Sequence, residues 1–181
     1  MKPLPLQTDS PHIHSITSCI AEIIEAPTLT SLRGTKLNKV VSRLTGDLQR
    51  LSGATSISVI LTGDDGTVTR FFSSSGNVAI HSDTSLRTVR DAIDPSQVTK
   101  RRAILKKTSR NFPEMKEVVF GDVEADSISL YPLRYGTKPL GILVAAFGNA
   151  DGQAERGSAS DQLLEAAATQ LSLFSFPSDE R

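Results

Sequence analysis

Two stretches of this chain alternate apolar and polar residues with a period of two, and each is broken in its middle by turn-forming residues. In the first, Ile57, Val59 and Leu61 alternate with Ser56, Ser58 and Ile60, Gly63-Asp64-Asp65-Gly66 supplies a corner, and Thr67 to Phe72 returns. In the second, Ser127 to Leu133 and Pro139 to Phe147 flank the polar corner Arg134-Tyr135-Gly136-Thr137-Lys138. Alternate side chains of a strand point to opposite faces, so each stretch predicts a β-hairpin with two distinct sides. Gly136 can supply the positive φ of a tight corner, and Gly141 removes a side chain where a neighbouring element must approach closely. Ser127, Ser129 and Tyr131 share one side of their strand, opposite Ile128 and Leu130. A face presenting hydroxyls is a poor core and reads as a pocket wall, with a solvated sheet face as the plain alternative.

Helical spacing governs most of the remainder. Ile13, Ile16, Ile20, Ile23 and Ile24 mark a short helix that Pro27 closes, and Leu37, Val40, Val41, Leu44, Leu48 and Leu51 mark a longer one that ends at Gly53. Between the hairpins, Thr84 to Ile93 and Ser96 to Arg110 read as two helices separated by Asp94-Pro95. Val118-Val119-Phe120 reads as a short strand and Gly121 to Asp126 as an acidic loop. A last helix carries Leu163, Leu164, Ala167, Leu171 and Phe174. This order predicts an α+β domain: one antiparallel sheet, terminal helices on one face, central helices over the other. The divisions are a lead over 1–11, N-terminal helices over 12–52, the domain over 53–176 and a tail over 177–181. The space between sheet and central helices is the natural ligand site.

Charge and cysteine usage narrow the chemistry. Twenty basic residues balance 20 acidic ones, which removes any general attraction to nucleic acid or anionic lipid. One cysteine, Cys19, excludes an intrachain disulfide and a Cys-x-x-Cys metal or redox motif. With no signal-like or membrane-spanning apolar block, the expected setting is the cytoplasm. No metal site is expected, since His12 and His14 point in different directions on a helix and converging ligands are missing. Nor is there a Gly-x-Ser-x-Gly elbow or a phosphate loop. Asp64-Asp65-Gly66 is explained by turn formation.

Two features remain. His81 lies in the segment bordering the presumed cavity, where a neutral imidazole could donate a hydrogen bond or ligate haem iron, although such a histidine is often merely exposed. The run from Lys100 to Arg110 holds six cations and no acid, and on a helix Arg102, Lys106 and Arg110 would line one face. That face would suit an acidic partner surface or weak phosphate contact, or would simply be solvated and balanced by nearby acids. No aromatic residues interleave it, which argues against single-strand stacking.

The stretch from Asp122 to Phe147, with the helix from Ser160 to Phe174, resembles a GAF domain. Tyr131-Pro132-Leu133, the Arg134-Tyr135-Gly136-Thr137 corner, Leu140-Gly141-Ile142-Leu143, and Leu163-Leu164 through Ala167 to Gln170-Leu171 carry the likeness. The helix and strand from Leu48 to Phe72 look like the family's opening, and Val78 to Phe120 matches in helical character only. The resemblance implies a sensory or regulatory module that is not an enzyme, dimerises through terminal helices and binds a small molecule or a signalling protein. Cys19 lies outside the matched region, so bilin attachment and methionine sulfoxide reduction are not implied. The cofactor is left unknown. The candidate ligand contacts are Ser73, His81, Asp122, Ser129 and Tyr131; the candidate partner contacts are Arg102, Lys106 and Arg110. An enzyme would need a titrating pocket group, for which His81 and Asp122 are the suggestions. The competing reading is a ligand-free adaptor whose basic helix docks an acidic protein.

Overall fold

The computed structural model describes residues 35–63, 68–75, 102–148 and 158–174. Helix α1 (Thr35–Ser52) leads into the hairpin β1 (Ser56–Thr62) and β2 (Val68–Ser73). Strand β3 (Ala103–Lys106) precedes helix α2 (Phe112–Phe120), and the hairpin β4 (Ser127–Tyr135) and β5 (Lys138–Phe147) precedes helix α3 (Ala159–Phe174). The strands form one antiparallel sheet in the order β2-β1-β5-β4-β3. No helix among the described residues is long and apolar enough to cross a membrane.

The period of two sorts the sheet into two faces. Ile57, Val59, Tyr131, Leu133, Leu143, Ala145 and Phe147 join one core with Val41, Leu44 and Leu48 of α1 and Leu164, Ala167, Ala168 and Leu171 of α3. Ile60, Ile128, Leu130, Ile142, Val144 and Ala146 join the other with Phe112, Met115, Val119 and Phe120 of α2. The terminal helices thus back one face, and α2 roofs the other. Gly53 closes α1 at φ 72° and Gly136 makes the second hairpin corner at φ 58°. At Gly141, φ is 151° and a Cβ would lie 2.1 Å from the Ile60 carbonyl oxygen, so only glycine lets β5 pass β1 there.

Two expectations from helical patterning are corrected. The basic run is not a helix from residue 102 onward: Ala103 to Lys106 is an edge strand, followed by a turn. Ala103 pairs with Leu130 and Leu105 with Ile128, so two apolar side chains enter the roof core while Ile104 and Lys106 turn away from it. That pairing outweighs the helix propensity of lysine and arginine, a weak prior in tertiary context. Arg102, Lys106 and Arg110 therefore share no helical face. Val118 to Phe120 is the last turn of α2, because burial at Phe112, Met115, Val119 and Phe120 follows helical spacing and a proline stands in the first turn. The segments holding Ile13 to Ile24, His12, His14 and Thr84 to Ile93 lie outside the described residues.

Candidate functional site

On the roof face the polar groups are hydroxyls. Ser56 and Ser58 alternate with Ile57 and Val59 in β1, pair with Ala146 and Val144, and are fully buried. Ser58 faces Ser73 across the hairpin, with their Oγ atoms 3.4 Å apart. Ser73 lies 2.9 Å from Ser75 Oγ, and the Ser74 hydroxyl accepts the Ile57 N–H at 2.9 Å. These serines form a linked group at one end of an apolar surface, and none carries charge. Asp47 and Asp161, the buried carboxylates among the described residues, both belong to the terminal-helix side.

That side holds a polar cluster of another kind. Ser158 caps α3, its Oγ accepting the Asp161 N–H at 3.2 Å, and this places Asp161 in the first helical turn. Asp161 Oδ1 lies 2.5 Å from Nη1 of Arg102 and accepts the Tyr131 hydroxyl at 3.0 Å. The side chains of Arg102 and Asp161 are 10% and 7% exposed, so the pair is desolvated. Burial, then the charge of Asp161 and the hydrogen bond to it, raise the Tyr131 phenol well above its ordinary pKa of 10.0. At the far end of the helix, Ser172 Oγ accepts the Arg134 N–H at 3.0 Å and donates to the Ala168 carbonyl at 2.7 Å. The register of β4 shifts between Leu133 and Arg134, and Ser172 satisfies the N–H displaced by that irregularity. Beside it, Pro132, Arg134, Glu165, Thr169 and Leu173 line a surface groove of about 400 Å³.

The structure separates the candidate contacts. Ser73 stands on the roof side beside Ser58. Ser129 and Tyr131 do share a face, but it is the one under the terminal helices: they are 2% and 0% exposed, and Tyr131 is engaged by Asp161. They are a polar layer of the helix-backed core and not the wall of a pocket under α2. The alternation of β4 is as read; what reversed the assignment is the small Ala145 opposite Ser129, which belongs to the core built with α3. Asp122 is exposed in the corner after α2. His81 lies outside the described residues. Of the basic group, Arg102 is buried in the ion pair, whereas Lys106 and Arg110 are exposed. Ser109 fills the outer rung of the edge strand: its Oγ accepts the Lys106 N–H at 3.0 Å and its N–H donates to the Lys106 carbonyl at 2.7 Å. With Lys107 paired to Asp126 at 2.6 Å, this short lysine-bearing strand is built to discourage edge pairing. Sequence reading missed Asp161, although Ser158-Ala159-Ser160-Asp161 ahead of an apolar run is a capping-box pattern that marks it.

No family model matches the chain, and no curated protein is significantly similar to it in sequence. Solved structures do match. The GAF domain of an Acinetobacter phosphoenolpyruvate-protein phosphotransferase superposes with a TM-score of 0.59 at 13% identity, covering 93% of this chain and 94% of that one. The fold is that of a GAF domain. Residues 122 to 287 of a methyl-accepting chemotaxis protein give a TM-score of 0.58 at 11% identity, covering 91% of this GAF-like chain and 96% of that one. The phycoerythrobilin-bound GAF domain of a cyanobacterial phytochrome gives 0.57 at 13% identity, covering 92% and 95%.

Proposed function

We propose that this chain is a non-catalytic sensory or regulatory module that holds an uncharged small molecule against the roof face of its sheet. The observation that carries the reading is the contrast in polar groups: the roof face presents the part-exposed Ser73, backed by buried Ser56 and Ser58, at the end of an apolar surface, with no buried charge among its described residues. Hydroxyls that orient a ligand beside an apolar wall are the usual makeup of a small-molecule site. The similarity to the GAF domain of a phosphotransferase, to residues 122 to 287 of a chemotaxis protein and to the bilin-bound GAF domain of a phytochrome supports a sensory role. The buried carboxylates Asp47 and Asp161 are each paired with an arginine, which gives them a structural occupation. Output passes to a signalling protein. Native mass spectrometry of protein purified without denaturant tests the binding. A mass excess that disappears on denaturation, and diminishes in Ser58→Phe, is expected; a bare polypeptide mass in every preparation from the native host would overturn the reading.

The assembly we propose is a homodimer through α3. Gln162, Ala166, Thr169 and Leu173 recur at helical spacing on its exposed side, without charge, and Leu173 is 54% exposed. The exposed side of α1 instead bears charged residues, among them Lys39 and Arg43. An uncharged helix stripe suits an isologous contact. Light scattering should give twice the chain mass for the native protein and the monomer mass for Leu173→Glu; an unchanged mass in the variant would exclude α3.

A further inference from the structure

Consecutive strands β2 and β3 occupy opposite edges of the sheet, so the chain between Ser73 and Ala103 joins the two edges. Arg102 stands where that connection reaches β3. Ala103 enters the roof core, and Arg102 turns to the opposite side, into its pair with Asp161 in the first turn of α3. We infer that Arg102, Asp161 and Tyr131 couple the start of β3 to the base of the terminal helix, making Arg102 a positioning residue for α3. The inference rests on the proposed function in one respect: a ligand on the roof face needs such a route to reach α3. The coupling itself belongs to the protein alone and is measurable without ligand.

The physical argument is desolvation. A carboxylate 7% exposed is stable in its ionised form while a guanidinium lies against it and a phenol donates to the same oxygen. If Arg102 withdraws, the charge is left uncompensated and relaxes by turning towards water. The Asp161 backbone is anchored through Ser158 and Ser160. Its N–H is held by Ser158 Oγ, and the adjacent Ser160 hydroxyl donates to the Ser52 carbonyl at 2.9 Å, tying the same helical turn to the end of α1. The structure holds the paired arrangement; a solvated one would displace the point where α1, α3 and β4 meet. A two-state element of this kind transmits a shift between sites. Coupling must also be reciprocal, so a disturbance at Asp161 is felt at Arg102.

Hydrogen exchange on the full chain tests this, comparing wild type with Arg102→Lys, Arg102→Met and Asp161→Asn. Arg102→Lys keeps the charge but loses the planar guanidinium, and serves if Arg102→Met fails to fold. Each Arg102 variant should raise exchange at least tenfold over residues 158–164 while residues 56–61 and 142–147 stay as protected as in wild type. Asp161→Asn should raise exchange over 102–106. Uniform acceleration across the sheet and all helices would reduce the cluster to general stabilisation and overturn the inference, as would an unchanged first turn of α3 in both Arg102 variants. Neither result bears on ligand retention, so a failure here is distinct from a failure of the proposed site.

Discussion

The two faces of the sheet are built from the same strands but solve different problems. The helix-backed face buries a carboxylate, a guanidinium and a phenol in one cluster, where removing one charged partner leaves the other buried without compensation. The roof face buries Ser56 and Ser58 beside Ile60, Ile142 and Val144, where no single contact decides the fold. The difference teaches that polarity inside a sheet protein has two uses. Paired charge fixes the position of an element; uncharged hydroxyls add polarity to a face without fixing a charge there.

The largest effect is expected from breaking the charged face. Arg102→Met leaves Asp161 buried and unpaired, and should cost about 3–5 kcal/mol in urea unfolding. The double variant Arg102→Met with Asp161→Leu should recover most of that loss, because an apolar pair carries no desolvation penalty. On the roof face the cost follows volume instead. Met115→Ala should lose about 2–5 kcal/mol, whereas Met115→Leu should stay within about 1.5 kcal/mol. If Met115→Leu proved as damaging as Met115→Ala, the roof would be as specific as the helix face and the contrast would fail.

Tyr131→Phe sharpens the comparison further. Removing a hydrogen bond to a carboxylate should cost about 1.5–3 kcal/mol near neutral pH. The sign with pH follows from the raised phenol. Its contribution is fully present below the unfolded value of 10.0 and is lost as pH rises towards the folded value. Stability of the wild type should therefore decline from about pH 10 upward, and Tyr131→Phe should show a shallower decline over the same range. The smallest effect is expected at Ser73→Ala, within about 0.5 kcal/mol of wild-type stability, yet with reduced retention of the bound molecule in native mass spectrometry. A loss of stability without a loss of retention would make the serine group structural.

The same contrast explains how much could be read from the sequence. Period-two alternation placed both hairpins, and Gly136 and Gly141 took the conformations their positions required. The helix stripe ending at Gly53 and the final Leu163 to Leu171 pattern were legible because amphipathic periodicity is a local property. The basic run was misread because cations at i, i+4 spacing suit a helix locally, while Ala103 and Leu105 answer to strand partners that are distant in sequence, Leu130 and Ile128. Ser129 and Tyr131 were assigned to a common face correctly but to the wrong layer. Alternation says which residues share a side, and only the packing of α3 says which side that is. Arg102 and Asp161 lie on separate elements far apart in sequence, so no short window of residues could disclose their pairing.

The measurement that bears most directly on the proposed site is methyl NMR of the isoleucines and leucines during titration with the molecule released from the purified protein. Shifts should concentrate at Ile60, Ile128 and Ile142, with Ile57, on the other face of the strand that carries Ile60, nearly unmoved. Shifts centred on Leu173 and the groove beside Arg134, with Ile60 and Ile142 silent, would place the ligand on the helix side and contradict the proposed site.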